Sequence, residues 1–251
     1  MEDTSLSPAL FLIPTGLSNA APSDVLPRLC LDVMKDLRFF IVENLRTARR
    51  WIRRCDPSFS FEGVTFFELN EHTTLMEVGA MLDPLRQGHS VGVMSEAGCP
   101  AVADPGADVV ALAQREGLKV VPLVGPSSIL MGLMGSGFNG QSFCFHGYLP
   151  IEEGERRNAL RRLERESEKE NRTQIFIETP YRNEKMFSML LDSLLPDTKI
   201  CVACDITAPG EYIVSKECRE WKKAPVPPVR KRPAIFLIYR GSKAEERGKR
   251  R

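Results

Sequence analysis

The residues best placed to do chemistry in this 251-residue sequence sit in loops that follow short apolar runs. After Ser90–Met94 comes Ser95-Glu96-Ala97-Gly98-Cys99-Pro100, and Asp104-Pro105-Gly106 then leads into a helical pattern. Gly98 and Gly106 let backbone come close to a ligand, and Asp104-Pro105 has the form of a helix N-cap with a first-turn proline. A second strand-to-helix loop reads Val124-Gly125-Pro126-Ser127-Ser128. Its serines can cap the next helix, whose free N–H groups suit a carboxylate or hydroxyl. Taken singly, each loop also reads as an ordinary connection into a capped helix.

Glu43 closes the run Phe39–Val42 and is the candidate base or acceptor-orienting residue. An acid at that position also suits the macrodipole of the following helix. Asn70, Glu71 and His72 follow the third apolar run, at the same edge, and could contact an acceptor. A lone histidine is more often a surface or capping group. Two other motifs are set aside. Gly135-Ser136-Gly137-Phe138-Asn139-Gly140 has the letters of a dinucleotide loop, but it follows a helix rather than a strand, so helix termination explains it. Cys201 and Cys204 have metal-ligand spacing, but they sit in a strand pattern, where positions three apart face opposite sides, and no second pair completes a zinc set. No metal is expected.

The elements that must position these loops alternate strand and helix. Strands are predicted at Leu10–Ile13, Phe39–Val42, Thr65–Leu69, Ser90–Met94 and Lys119–Leu123. Between and after them, helices are predicted at Asp24–Lys35, Leu45–Arg54, Thr73–Leu85, Ala107–Arg115 and Ser127–Met134. That rhythm implies βαβ units and a mainly parallel sheet, where ligands sit outside the carboxyl ends of strands. The rhythm breaks at Phe143–Pro150, so a domain boundary is placed at 145/146, giving domains 1–145 and 146–251. The rear half shows the charged helix Glu152–Lys169, a helix near Glu184–Leu191, and strands at Thr173–Ile177, Lys199–Cys204 and Ala234–Tyr239. A frayed tail is expected over Ala244–Arg251.

With 43% hydrophobic residues the chain can bury a sizeable core. Thirty-four basic against 33 acidic residues leave +1, so any polyanion site must be a local patch. Arg46, Arg49, Arg50, Arg53 and Arg54 make one such patch; Arg156, Arg157, Arg161, Arg162 and Arg165 are interleaved with glutamates and read as a solvated helix. No apolar run approaches the roughly 18 residues that span a bilayer. Seven cysteines without a secretory signal fit reduced thiols, and a cytoplasmic location with no membrane association is expected.

Read together, Ser95–Pro100, Asp104–Gly106, Gly125–Ser128, Phe143–Pro150 and Glu178-Thr179-Pro180-Tyr181-Arg182 resemble the tetrapyrrole methylase superfamily, from about residue 10 to 215. Within it the chain is most similar to the branch that methylates a cytidine ribose 2′-hydroxyl in small-subunit ribosomal RNA. The resemblance implies two α/β domains with S-adenosylmethionine in the cleft between them, and a homodimer. By position it implies donor contacts from Pro14 and Thr15, from Ser95, Glu96, Ala97 and Gly98, from Asp104, Pro105 and Gly106, from Gly125, Pro126, Ser127 and Ser128, and from Tyr148 and Leu149. Arg46, Arg49, Asn70, Glu71, Tyr181 and Arg182 would meet the RNA, Tyr181 by stacking and Arg182 by pairing. The plain alternative has Tyr181 packed and Arg182 serving a local carboxylate.

The sequence also departs from that branch. Asn44 stands where the branch has a second acid, Glu96 replaces an aspartate, Cys99 replaces a threonine, and Ala208 follows Thr207 where a threonine-lysine pair is expected. Two further readings fit the same loops. One keeps the donor but gives a small-molecule acceptor such as a tetrapyrrole; the other is a relative that binds RNA without turnover.

Overall fold

The computed structural model describes residues 7–70 and 72–241, and its chain divides into two compact units between Ser127 and Ser128. The first unit holds β1 (Leu10–Ile13), α1 (Pro22–Val25), α2 (Arg28–Asp36), β2 (Phe39–Val42), α3 (Leu45–Cys55), β3 (Thr65–Glu68), α4 (Leu75–Met81), α5 (Asp83–Arg86), β4 (Val91–Met94), α6 (Ala107–Arg115) and β5 (Val120–Pro122). Its strands are all parallel, in the order β3-β2-β4-β1-β5. Helices cover both faces, which is why the central strands are continuous apolar runs. Phe11, Ile13, Phe40 and Val42 pack on one face with Val33, Met34, Trp51 and Ile52. Leu10, Ile41, Val91 and Val93 pack on the other with Val78, Leu82 and Val109.

Two helices expected to be continuous are broken, and proline is the cause each time. The Asp24–Lys35 pattern divides at Leu26-Pro27, with Pro27 as the N-cap of α2. The Thr73–Leu85 pattern divides at Leu82, where Pro84 removes a helical N–H donor from the first turn of α5. Thr74 caps α4 in a reciprocal capping box with Glu77.

The second unit contains α7 (Ser128–Ser136), β6 (Phe143–Tyr148), α8 (Glu153–Glu170), β7 (Thr173–Ile177), α9 (Asn183–Ser193), β8 (Lys199–Cys204), β9 (Tyr212–Glu217), α10 (Cys218–Trp221) and β10 (Ala234–Tyr239). Its sheet is mixed, in the order β6-β7-β10-β8-β9, with β6 and β7 parallel and the remaining pairs antiparallel. Strand β9 and helix α10 were not expected from the sequence. The division of units falls earlier than the expected 145/146 because α7 packs on the second sheet. Gly132 lies against Ile235 and Gly135 against Ile213, small residues that let this helix approach the strands closely. On the opposite face, Leu160, Leu163, Met186, Phe187, Leu190 and Trp221 pack with Phe176, Val202 and Phe236. Helix α7 ends at Ser136 with Gly137 at φ +71°, so the glycine-rich run there is a helix stop. The expected tail Ala244–Arg251 lies outside the described residues.

Candidate functional site

In the first unit, the loops leaving β1, β2, β4 and β5 meet at the carboxyl end of the sheet. Thr15 and Gly98 exchange two backbone hydrogen bonds, Thr15 N to Gly98 O at 2.9 Å and Gly98 N to Thr15 O at 3.2 Å. The buried Thr15 hydroxyl donates to Ser95 O at 3.2 Å. Gly98 adopts φ +83°, a conformation costly for any side-chain-bearing residue, which turns the chain back toward Thr15. Gly125 lies so near Pro14 that an added Cβ would stand 2.2 Å from the proline Cβ. The Cys99 thiol lies 3.5 Å from Pro126 O. Backbone rather than side chains therefore forms much of this rim.

Three carboxyl groups face the same edge. Glu43 Oε2 accepts from Glu96 N at 3.3 Å, and the Thr47 hydroxyl lies 3.0 Å from Glu96 Oε1. Asp104 is hydrogen-bonded to Glu43, while its Oδ2 is buried and receives no N–H or hydroxyl donor. Burial, then the charge of Glu43 and the bond between the two carboxyls, push the Asp104 acid up to about 7, against a hydrogen bond from Ser95; Glu96 adds to the rise. The expected N-cap role of Asp104 is corrected here. Helix α6 begins three residues later, at Ala107 with Gly106 as cap, and the intervening turns direct Asp104 toward Glu43. Burial also raises the Cys99 thiol, and Asp104 contributes.

Asn44 is the N-cap of α3, its Oδ1 accepting from Arg46 N at 3.0 Å and Thr47 N at 3.1 Å. Beside it opens a cavity of about 290 Å³ lined by Thr15, Thr47, Arg50, Trp51, Ser95 and Glu96, among others. The basic helix is partly tied down. Arg49 and Arg53 lie over the Phe61 ring, and Arg54 bonds the carbonyls of Asn19 and Ala20. Arg46 and Arg50 remain exposed. Asn70 Oδ1 accepts from His72 N at 2.9 Å, closing a turn, and Glu71 lies outside the described residues.

The remaining expected site residues belong to the second unit. Ser128 opens α7, Tyr148 is exposed at the end of β6, and Leu149 is buried. Tyr181 is exposed, whereas Arg182 bonds Glu178 Oε1 through Nε and Nη2 at 2.9 and 2.7 Å. The sequence reading of Arg156 as solvated is corrected: it is buried, donates to Pro150 O and Ile151 O at 2.8 and 2.6 Å, and lies 3.9 Å from the buried Glu178 carboxylate. Cys201 and Cys204 are both buried on β8, and burial pushes each thiol up to about 11.

Comparison with solved structures places this fold. The methyltransferase CobJ superposes with a TM-score of 0.61 at 16% identity, covering 93% of this chain and 94% of that one. Uroporphyrin-III C-methyltransferase from Thermus thermophilus, solved with S-adenosylhomocysteine, gives 0.53 at 17% identity over 92% and 97%. The chain thus has the two-sheet α/β fold of the tetrapyrrole methyltransferases. No family model matches the sequence. Ribosomal RNA small subunit methyltransferase I from Vibrio cholerae is 31% identical over 207 residues, covering 82% of this chain and 68% of the relative. The chain belongs to the ribosomal RNA small subunit methyltransferase I family.

Proposed function

We propose that this protein moves a methyl group from S-adenosylmethionine to a ribose 2′-hydroxyl of small-subunit ribosomal RNA, working in the cytoplasm as a homodimer. The observation that carries the reading is the 31% identity with a ribosomal RNA methyltransferase over most of both chains. The carboxyl edge of the first sheet fits the donor in chemistry. Its rim offers backbone groups around Gly98 and Gly125, and the Glu96 carboxyl group favours a cationic sulfonium. When bound, the sulfonium supplies an electrophilic methyl; the chain's own task is to align the acceptor and remove its proton.

Glu43 has that task. Its carboxylate sits at the end of β2, held by the Glu96 N–H, next to the cavity that Thr15, Thr47 and Glu96 share. The acceptor nucleotide enters that cavity, with Arg50 on its wall and Arg46 nearby on α3 for the phosphates. No helix among the described residues is long and apolar enough to cross a membrane.

The test is methyl incorporation from labelled donor into small subunits taken from a strain lacking this gene product, with the label mapped. Label at a ribose supports the reading; label only in a tetrapyrrole or other small-molecule pool overturns it. Glu43→Gln should lower turnover about a hundredfold or more while leaving donor affinity nearly unchanged. Unchanged turnover removes Glu43 from the base role. Light scattering at the assay concentration checks the dimer.

A further inference from the structure

We propose that Asp104 is a positioning residue that shares one proton with Glu43, and that this proton fixes the Glu43 carboxylate in the orientation that accepts the ribose hydroxyl proton. The role of Glu43 rests on the function proposed above; the shared proton rests on the structure alone.

Asp104 Oδ2 is buried and has no N–H or hydroxyl donor, a costly state for a carboxylate oxygen. The groups that set its ionisation are Glu43 from the end of β2, Glu96 from the loop after β4, and the Ser95 hydroxyl; none is a cation. Cys99 is the remaining titratable neighbour, and its thiol is itself raised. Two carboxyl groups bonded to each other with no cation cannot both be ionised without strong repulsion, so one proton must lie between them. Glu43 already accepts from the Glu96 N–H, whereas Asp104 Oδ2 has no such donor. The proton therefore resides on Asp104, whose O–H donates to Glu43. One bond from Glu96 N and one from Asp104 leave Glu43 an oxygen lone pair for the acceptor hydroxyl.

The proton balance follows. Glu43 takes the 2′-hydroxyl proton as the ribose oxygen forms its bond to the methyl carbon, and the carbon–sulfur bond breaks to leave a neutral thioether. The Asp104 proton is not consumed. It is lost only when the solvent pH passes the acid's raised value, near 7, and the two charges then drive the side chains apart.

Carboxyl-labelled NMR of the ligand-free protein reads the proton directly. The expected result is one aspartate resonance with a midpoint near 7, absent from Asp104→Asn. In Glu43→Gln that midpoint should fall by about one pH unit or more, since a like charge is removed. An Asp104 resonance that titrates with the ordinary aspartates, at about pH 4, overturns the proposal. If Asp104→Asn is poorly folded, the Glu43→Gln shift decides alone. Activity against pH separates the two readings. The wild type should lose turnover above about pH 7, and Asp104→Asn, whose amide donates at every pH, should lack that fall in its own pH profile. A normal NMR midpoint with intact ribose methylation refutes the shared proton only. A raised midpoint in a protein that transfers no methyl to ribose keeps the shared proton but refutes its place in the reaction.

Discussion

Gly125→Ala isolates the contact between two of the loops assigned to the donor. The new Cβ would lie 2.2 Å from Pro14 Cβ, 2.5 Å from Pro14 Cγ and 3.3 Å from Leu26 Cδ2. Carbon atoms rest at about 3.5 Å or more, so the loops after β1 and β5 must part by about 1.3 Å. The obstacle is a proline ring, which cannot swing aside as a long side chain would. Gly125 lies outside the left-handed region, so the change acts through space rather than through backbone strain. Overpacking of this kind costs about 1–3 kcal/mol. Spent on separating donor loops, that corresponds to about a 5- to 150-fold weaker donor affinity, since 1.4 kcal/mol is tenfold. Calorimetry with S-adenosylmethionine measures it, and a thermal melt should show a lower midpoint by about 2–4 °C per kcal/mol. Gly79→Ala serves as control. It stands in α4 with no atom within 4 Å of its would-be Cβ, and should stabilise the protein by about 0.5–1 kcal/mol. A Gly125→Ala protein with the expected loss in melting temperature but wild-type donor affinity would refute the assignment of these loops to the donor.

Two further outcomes follow from other parts of the chain. Arg156→Ala should destabilise the protein by about 1–3 kcal/mol in denaturant titration, because it leaves the carbonyls of Pro150 and Ile151 without their donor while Arg182 still holds Glu178; a loss under about 0.5 kcal/mol would mean the side chain is solvated after all. Arg46→Ala and Arg50→Ala should each weaken RNA binding and reduce the slope of log affinity against log salt by about one, as expected for phosphate contacts, and an unchanged slope would place the RNA elsewhere.

The strands of the first unit were legible because both faces of a parallel sheet are buried. Each one is a short apolar run that ends where a loop residue must begin, as Val42 gives way to Glu43 and Met94 to Ser95. Helix breaks were less legible, since Pro27 and Pro84 sit inside apolar periodicity that continues across them. Strand β9 was missed for a different reason. Its residues Tyr212–Glu217 form the sheet edge beside β8 and are only partly buried, so alternation is weak. Arg156 shows the deeper limit. Sequence spacing places it among glutamates on α8, but its actual partners are carbonyls before the helix and a carboxylate after β7. The same is true of Asp104, whose local sequence suggests a cap and whose decisive neighbour lies on another strand end.

That neighbour gives a physical reading of the substitution at Asn44. The resemblance leads one to expect an acid there, and an aspartate would cap α3 as well as the asparagine that accepts from Arg46 N and Thr47 N, so capping does not select the amide. Charge can. Glu43, Glu96 and Asp104 already crowd one edge, and the Asp104 acid is pushed up to about 7 there. A further carboxylate adjoining Glu43 would add like charge to this edge and push the Asp104 acid higher still. Glu96 belongs to the same edge: its side chain meets the Thr47 hydroxyl, while its N–H is the group that holds Glu43. The departures at 44 and 96 thus both fall beside Glu43.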